Sequence, residues 1–138
     1  MNYTAPKWLP GGNLQTIWPA LYPRPVGRPT FTYQRERWTT PDGDFIDVDW
    51  RPGPTDAPLI VNFHGLEGSS GSHYAQAFAQ FSSERGYGFV VPHFRGCSGE
   101  INRRPRAYHS GDFEEVGWIL NRIRQRHQGV ILAVGVSL

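Results

Sequence analysis

Three short apolar runs, each ending in a glycine-bearing loop, constrain this chain more than any other feature. They are Pro58 to Phe63, Tyr87 to Pro92 and Val130 to Val134. Leu59, Ile60 and Val61 follow one another without a polar break, as do Phe89, Val90 and Val91. Short runs that are apolar at consecutive positions suit strands covered on both faces, as inside a parallel sheet. The segments between them read as helices. From about His73 to Arg85, Ser72 serves as N-cap, Tyr74, Phe78 and Phe81 form the apolar side, and Gly86 is the stop. From about Asp112 to His127, Phe113, Val116, Leu120 and Ile123 fall on one face, acids crowd the first turn, basic residues the last, and Gly129 ends it.

Upstream, Phe31 to Thr39 suits a polar-edged strand, Thr40-Pro41-Asp42-Gly43 a turn, and Phe45 to Trp50 a strand of period two. A hairpin followed by alternating strands and helices predicts an α/β domain over residues 31–138 with a mostly parallel sheet. Residues 1–30 form a proline-rich arm in which Asn13 to Leu21 makes one or two helical turns, exposing Leu14, Ile17, Trp18 and Leu21. That arm either packs on the domain or forms a lip of an acyl or membrane-facing site.

Composition narrows the partners. The formal charge is +2, from one lysine and thirteen arginines against twelve acids, short of the field of a general nucleic-acid binder. Arginines cluster at Arg95, Arg103, Arg104 and Arg106 and again at Arg122, Arg124 and Arg126. Without interleaved aromatics these read as solvated faces, the first leaving room for a phosphate or carboxylate docking patch. The single cysteine, Cys97, fits a reducing compartment, and neither a signal peptide nor a spanning helix is present, so the expected location is cytoplasmic, with peripheral membrane contact open.

Right-handed crossovers set the loops after the three buried strands along one rim. They carry His64-Gly65, Arg95-Gly96-Cys97-Ser98-Gly99 and Gly135-Val136-Ser137-Leu138. A buried strand running into Gly-x-Ser begins a turn that lifts a serine hydroxyl clear of the sheet. Serine is a poor nucleophile without a base, an orienter for that base, and oxyanion donors. Two donors can be located: the N–H of Leu138, next after Ser137, and that of Leu66, in the loop after the first buried strand. Other chemistries fit less well. Gly65, Gly68 and Gly71 do not make a dinucleotide fingerprint, and no Gly-Lys-Ser/Thr follows to cradle a phosphate. His64, His73, His93, His109 and Cys97 lack zinc-site spacings, and Cys97 has no assigned base. No metal or cofactor is implied.

Four stretches resemble a known family. Trp8-Leu9-Pro10-Gly11-Gly12-Asn13-Leu14-Gln15-Thr16, His64 to Tyr74, Phe94 to Arg103, and Tyr108-His109-Ser110-Gly111 look like the YheT-like esterases (AB hydrolase 4 family) of the α/β-hydrolase superfamily. The resemblance implies the N-terminal part of an α/β-hydrolase fold and a Ser-Asp-His triad hydrolysing carboxylic esters, with small acyl-ester or lipid substrates. Ser137 matches the nucleophile and Leu66 and Leu138 the backbone oxyanion donors. The superfamily order is Ser, acid, His, so the triad acid and histidine are absent from this chain, since His64, His93 and His109 all precede Ser137. The sequence-level expectation is therefore a fragment that stops at the elbow and is inactive alone, with an edge strand open to aggregation. The alternative is a non-catalytic anion- or partner-binding remnant using the loops near Arg95 and Arg103.

Overall fold

The computed structural model describes residues 4–22 and 32–137; the expected strand start at Phe31, the stretch over 23–30 and Leu138 lie outside them. The elements in chain order are α1 (Gly12–Leu21), β1 (Gln34–Thr39), β2 (Phe45–Arg51), β3 (Leu59–Phe63), α2 (His73–Glu84), β4 (Gly88–Pro92), α3 (Phe113–Arg124) and β5 (Ile131–Gly135). The strands form one mixed sheet in the order β1-β2-β4-β3-β5. β1 and β2 pair antiparallel, as do β2 and β4, whereas β4, β3 and β5 run parallel. This is the hairpin-plus-parallel arrangement that the alternating pattern implied. Because β3 lies between β4 and β5, its following loop sits in the middle of the rim.

The two sheet faces bury different residues. On the α3 side Ile46, Val48, Leu59, Val61, Phe63 and Val90 pack with Trp38, Phe94, Ile119 and Ile123. On the α2 side Ile60, Phe89 and Val91 pack with Ala79. Burial of each such side chain contributes about 1.5–3 kcal/mol of hydrophobic driving force before entropy is set against it.

Phe78 on α2 and Val116, Leu120 and Ile123 on α3 pack on the core as periodicity suggested, but both helices are turned so that the first aromatic of α3 and Phe81 of α2 fall outside the buried face. α2 turns Ala75, Ala79 and Ser82 inward and leaves Phe81 exposed. Small residues let the helix lie close to a sheet whose own Ile60 and Phe89 fill the space. α3 buries Glu115, Ile119 and Ile123, while Phe113 is 78% exposed. Glu115 points inward because a buried arginine, Arg95, waits for it. Ser72 occupies the N-cap of α2, but its hydroxyl accepts the Ser69 N–H instead of a helix N–H. α3 ends at Arg124, short of Gly129. Gly129 is needed for a different reason: a Cβ there would stand 2.5 Å from the Ala57 carbonyl oxygen.

β2 departs from simple alternation, since Phe45, Ile46, Asp47, Val48 and Asp49 are all buried. Its acids are compensated across the strand pair. Arg37 faces Asp47 and Arg35 faces Asp49 in register, each as a two-bond fork at 2.7–2.9 Å. α1 is a full ten-residue helix with Pro19 inside it. Leu14, Ile17, Trp18 and Leu21 are exposed as expected, with Trp18 ringed by Trp8 and Tyr22. No helix among the described residues is long and apolar enough to cross a membrane.

Candidate functional site

The parallel strands bring two loops into backbone contact. β5 pairs with β3 up to Phe63 opposite Gly135, and the Val136 N–H continues the ladder to the Phe63 carbonyl at 3.0 Å. The next residue, Ser137, adopts φ 58, a left-handed conformation uncommon for a residue with a Cβ, and it is exposed. Beside it lies Gly65. A Cβ on Gly65 would stand 2.8 Å from the Val136 carbonyl oxygen and 3.3 Å from Ser137 Cβ. Only glycine permits that approach, so the sequence-predicted Ser137 and the His64-Gly65 loop do meet.

The loop after β3 is a tight turn, closed by the Gly68 N–H on the Gly65 carbonyl at 2.9 Å, with Glu67 at φ 52. That is the position of a type II turn that demands positive φ. The Gly65 N–H donates to the Tyr74 hydroxyl at 3.0 Å and the Glu67 N–H to the Tyr108 hydroxyl at 2.7 Å. The Leu66 N–H, singled out from sequence, has no acceptor among the described residues. Leu138, the other expected donor, lies outside them.

His64 is a tie between loops and not a base. Its Nε2 accepts the Phe94 N–H at 3.0 Å, which leaves the proton on Nδ1 to donate to the Gly65 carbonyl at 2.8 Å. Burial holds its pKa below the usual histidine value, and the neighbouring His93 adds to that. Ser137 itself has no hydrogen bond among the described residues, from a histidine or any other group. Ser70, Asp49 and His93 superficially suggest a second triad, yet Ser70 and His93 both bind the same Asp49 oxygen, at 2.5 and 2.9 Å. Burial would raise the Asp49 carboxyl, but hydrogen bonds from Arg35, His93 and Ser70 outweigh it and hold the group well below the usual carboxylate range. This cluster pins the β3 loop to β2 and β4. Sequence reasoning missed it, although acids alternating with Ile46, Val48 and Trp50 in one strand were a visible signal.

Of the arginine cluster after β4, Arg103, Arg104 and Arg106 are exposed as expected, and Arg95 is the correction. Arg95 is neither solvated nor available to an anionic ligand. It is buried, with Nε on Glu115 at 2.9 Å and its other nitrogens on Asp42 at 2.8 Å and Asp44 at 3.2 Å. Asp44 is also met by the N–H groups of Arg103 and Arg104 and by the Asn102 amide. These contacts hold the loop over residues 96–106 against the β1–β2 turn. Among the later arginines, Arg122 lies over Trp38 and Arg126 over Trp50, at 4.8 and 5.0 Å from the ring centroids. Burial pushes the Cys97 thiol up, which disfavours the reactive thiolate. Among the described residues no three His, Cys, Asp or Glu side chains gather to hold a metal ion.

No family model matches the chain. It is 45% identical over 130 residues to "Putative esterase YheT" of Escherichia coli (strain K12), covering 91% of this chain and 37% of that protein. It is 31% identical over 146 residues to "Phospholipase ABHD3" of Mus musculus, covering 99% of this chain and 35% of that protein. The chain thus spans about a third of the length of these curated relatives. In structure it is similar to an alpha-beta serine hydrolase homologue from Coxiella burnetii, with a TM-score of 0.62 at 17% identity over 78% of this chain and 53% of the other. Strand order, rim loops and these similarities converge on one conclusion: the chain has an α/β-hydrolase fold and is similar in sequence to curated proteins named esterase and phospholipase.

Proposed function

We propose that this chain supplies the nucleophile and the oxyanion pocket of a serine ester hydrolase. The observation that carries this reading is Ser137 at φ 58, one residue beyond the β5–β3 ladder and in backbone contact with Gly65. A strained turn at a strand end exposes the hydroxyl for attack on an acyl carbonyl. The Ser137 oxygen bonds to the carbonyl carbon while its proton passes to a histidine base. The tetrahedral oxyanion then takes the N–H groups of Leu66 and Leu138, and its collapse expels the alcohol and leaves an acyl-enzyme. Each donor is worth ~10² to 10³ in rate.

That the Leu66 N–H has no acceptor among the described residues supports its assignment. The relatives' names, an esterase and phospholipases, support a small acyl-ester or lipid substrate. We place the protein in the cytoplasm, in keeping with its single cysteine. We infer that the triad acid and base come from sequence outside this chain: His64 and His93 are tied to the rim loops and to Asp49, and Ser137 bonds no histidine among the described residues. The 138 residues alone are accordingly inactive.

The test joins this chain to the remaining two thirds of the E. coli YheT protein and measures p-nitrophenyl ester hydrolysis. The expected result is turnover that falls by roughly 10⁴-fold or more with Ser137→Ala. Turnover that survives the substitution overturns the assignment of Ser137. Serine-dependent turnover by the 138-residue chain alone overturns its inactivity.

A further inference from the structure

The turn over residues 65–68 is held so that one N–H is left over. The Gly65 carbonyl takes both the Gly68 N–H and His64 Nδ1–H, at 2.9 and 2.8 Å. The Gly65 and Glu67 N–H groups go to two phenol oxygens, and the Leu66 N–H between them goes to none of the described residues. Glu67 is the weak point of this geometry. A type II turn asks for φ above zero at that position, where glycine is the usual occupant. This chain has a glutamate there at φ 52.

What compensates is Tyr108, which lies 41 residues further on, in the loop between β4 and α3. Its hydroxyl accepts the Glu67 N–H at 2.7 Å. The ring is fixed independently, stacked on Phe94 at 5.2 Å and 4°. Phe94 in turn donates its N–H to His64, whose other nitrogen holds the Gly65 carbonyl. A closed circuit of packing and hydrogen bonds therefore runs from Tyr108 through Phe94 and His64 back to the turn.

We propose that Tyr108 is a positioning residue: its phenol oxygen holds Glu67 in the left-handed conformation and thereby sets the direction of the Leu66 N–H. The inference rests on Leu66 serving as an oxyanion donor. It also gives the loop after β4, whose arginines the esterase reading leaves unused, a connection to the site.

Tyr108→Phe removes the acceptor and keeps the stacked ring. In the fusion described above it should lower kcat by roughly 10- to 100-fold, a part of what loss of an oxyanion donor costs, with KM within about twofold. Glu67→Gly relieves the conformational demand, so adding it to Tyr108→Phe should return kcat to within about threefold of the Glu67→Gly single variant. A merely structural tyrosine gives no such rescue. A kcat unchanged by Tyr108→Phe, or one that Glu67→Gly does not restore, overturns the proposal.

A second readout needs no catalysis. In the 138-residue chain, Tyr108→Phe should speed amide hydrogen exchange at Glu67 by about tenfold or more and shift the Leu66 amide resonance, and Glu67→Gly should bring that resonance back. An unmoved Leu66 resonance overturns the proposal whatever the fusion does. A moved and rescued resonance in a fusion that hydrolyses no ester upholds the positioning role and sinks the ester-hydrolase reading instead.

Discussion

Replacing Arg95 by methionine isolates the cost of one buried cation. The side chain is 2% exposed and makes five hydrogen bonds, two to Glu115, two to Asp42 and one to Asp44. Its three partners do not suffer equally from its loss. Asp42 is 37% exposed and keeps the Thr40 hydroxyl at 2.6 Å, so water can take over. Asp44 is fully buried but keeps the N–H groups of Phe45, Arg103 and Arg104 and the Asn102 amide, at 2.9–3.1 Å. Glu115, 4% exposed, is left with Arg106 at 3.8 Å. The penalty therefore falls on Glu115, and an uncompensated buried charge costs about 3–5 kcal/mol. Against a typical total of about 5–15 kcal/mol that is a large share of stability.

Urea unfolding of the 138-residue chain, followed by tryptophan fluorescence, reads this directly because Trp38 is buried in the core. Arg95→Met should lose about 3–5 kcal/mol, and adding Glu115→Gln should recover most of it by removing the stranded charge. The pH dependence has a definite sign. Burial already raises the Glu115 pKa even with Arg95 beside it, and loss of Arg95 raises it further. The folded variant then binds a proton more tightly than the unfolded chain. Its stability rises as pH falls from the folded pKa towards the unfolded one, and the gap to wild type narrows. Equal stabilities for Arg95→Met and the double variant, or a penalty that does not shrink on acidification, would refute the reasoning.

Gly65→Ala should destabilise the chain by about 1–3 kcal/mol and depress hydrolysis by the fusion, because the new methyl meets backbone at Val136 and not a side chain that can swing away; circular-dichroism melting and initial rates check both. Asp44→Asn should flatten the acid limb of stability. Against the desolvation that opposes it, backbone and amide donors hold the Asp44 carboxyl at about 2 instead of 3.8, so its contribution is present above about pH 4 and lost as pH falls through 2. His64, whose pKa is lowered by burial, contributes stability above its unfolded value of about 6.5 that is lost as pH falls below it. His64→Asn should remove that slope in urea titrations between pH 7 and 5.

Local order carried much of the information here. The runs at Leu59 and Phe89 identify their strands because consecutive apolar side chains call for cover on both faces, and every residue of β3 and β4 is buried. The run at Ile131 also forms a strand, but at the sheet edge, where Leu132 is exposed and not covered as expected. Glycine-bearing loops at their ends mark the rim for the same local reason: left-handed and close-packed backbone excludes a Cβ. Ser137 and the His64-Gly65 loop accordingly belong to one expected rim, and Gly65 and Ser137 meet there.

What sequence could not supply were the choices that depend on partners distant along the chain. Periodicity marks a helix but leaves its rotation to whatever waits on the sheet, which is why Glu115 and not Phe113 faces inward, towards Arg95. An arginine in a glycine-rich loop looks solvated until three acids, on the β1–β2 turn and on α3, close around it. The same holds for Tyr108, whose hydroxyl reaches an N–H 41 residues away. Local propensity acts through neighbours along the backbone and is written in order. The pairing of buried charge and the seating of a strained turn are settled only when the sheet brings distant groups into a space from which water is excluded.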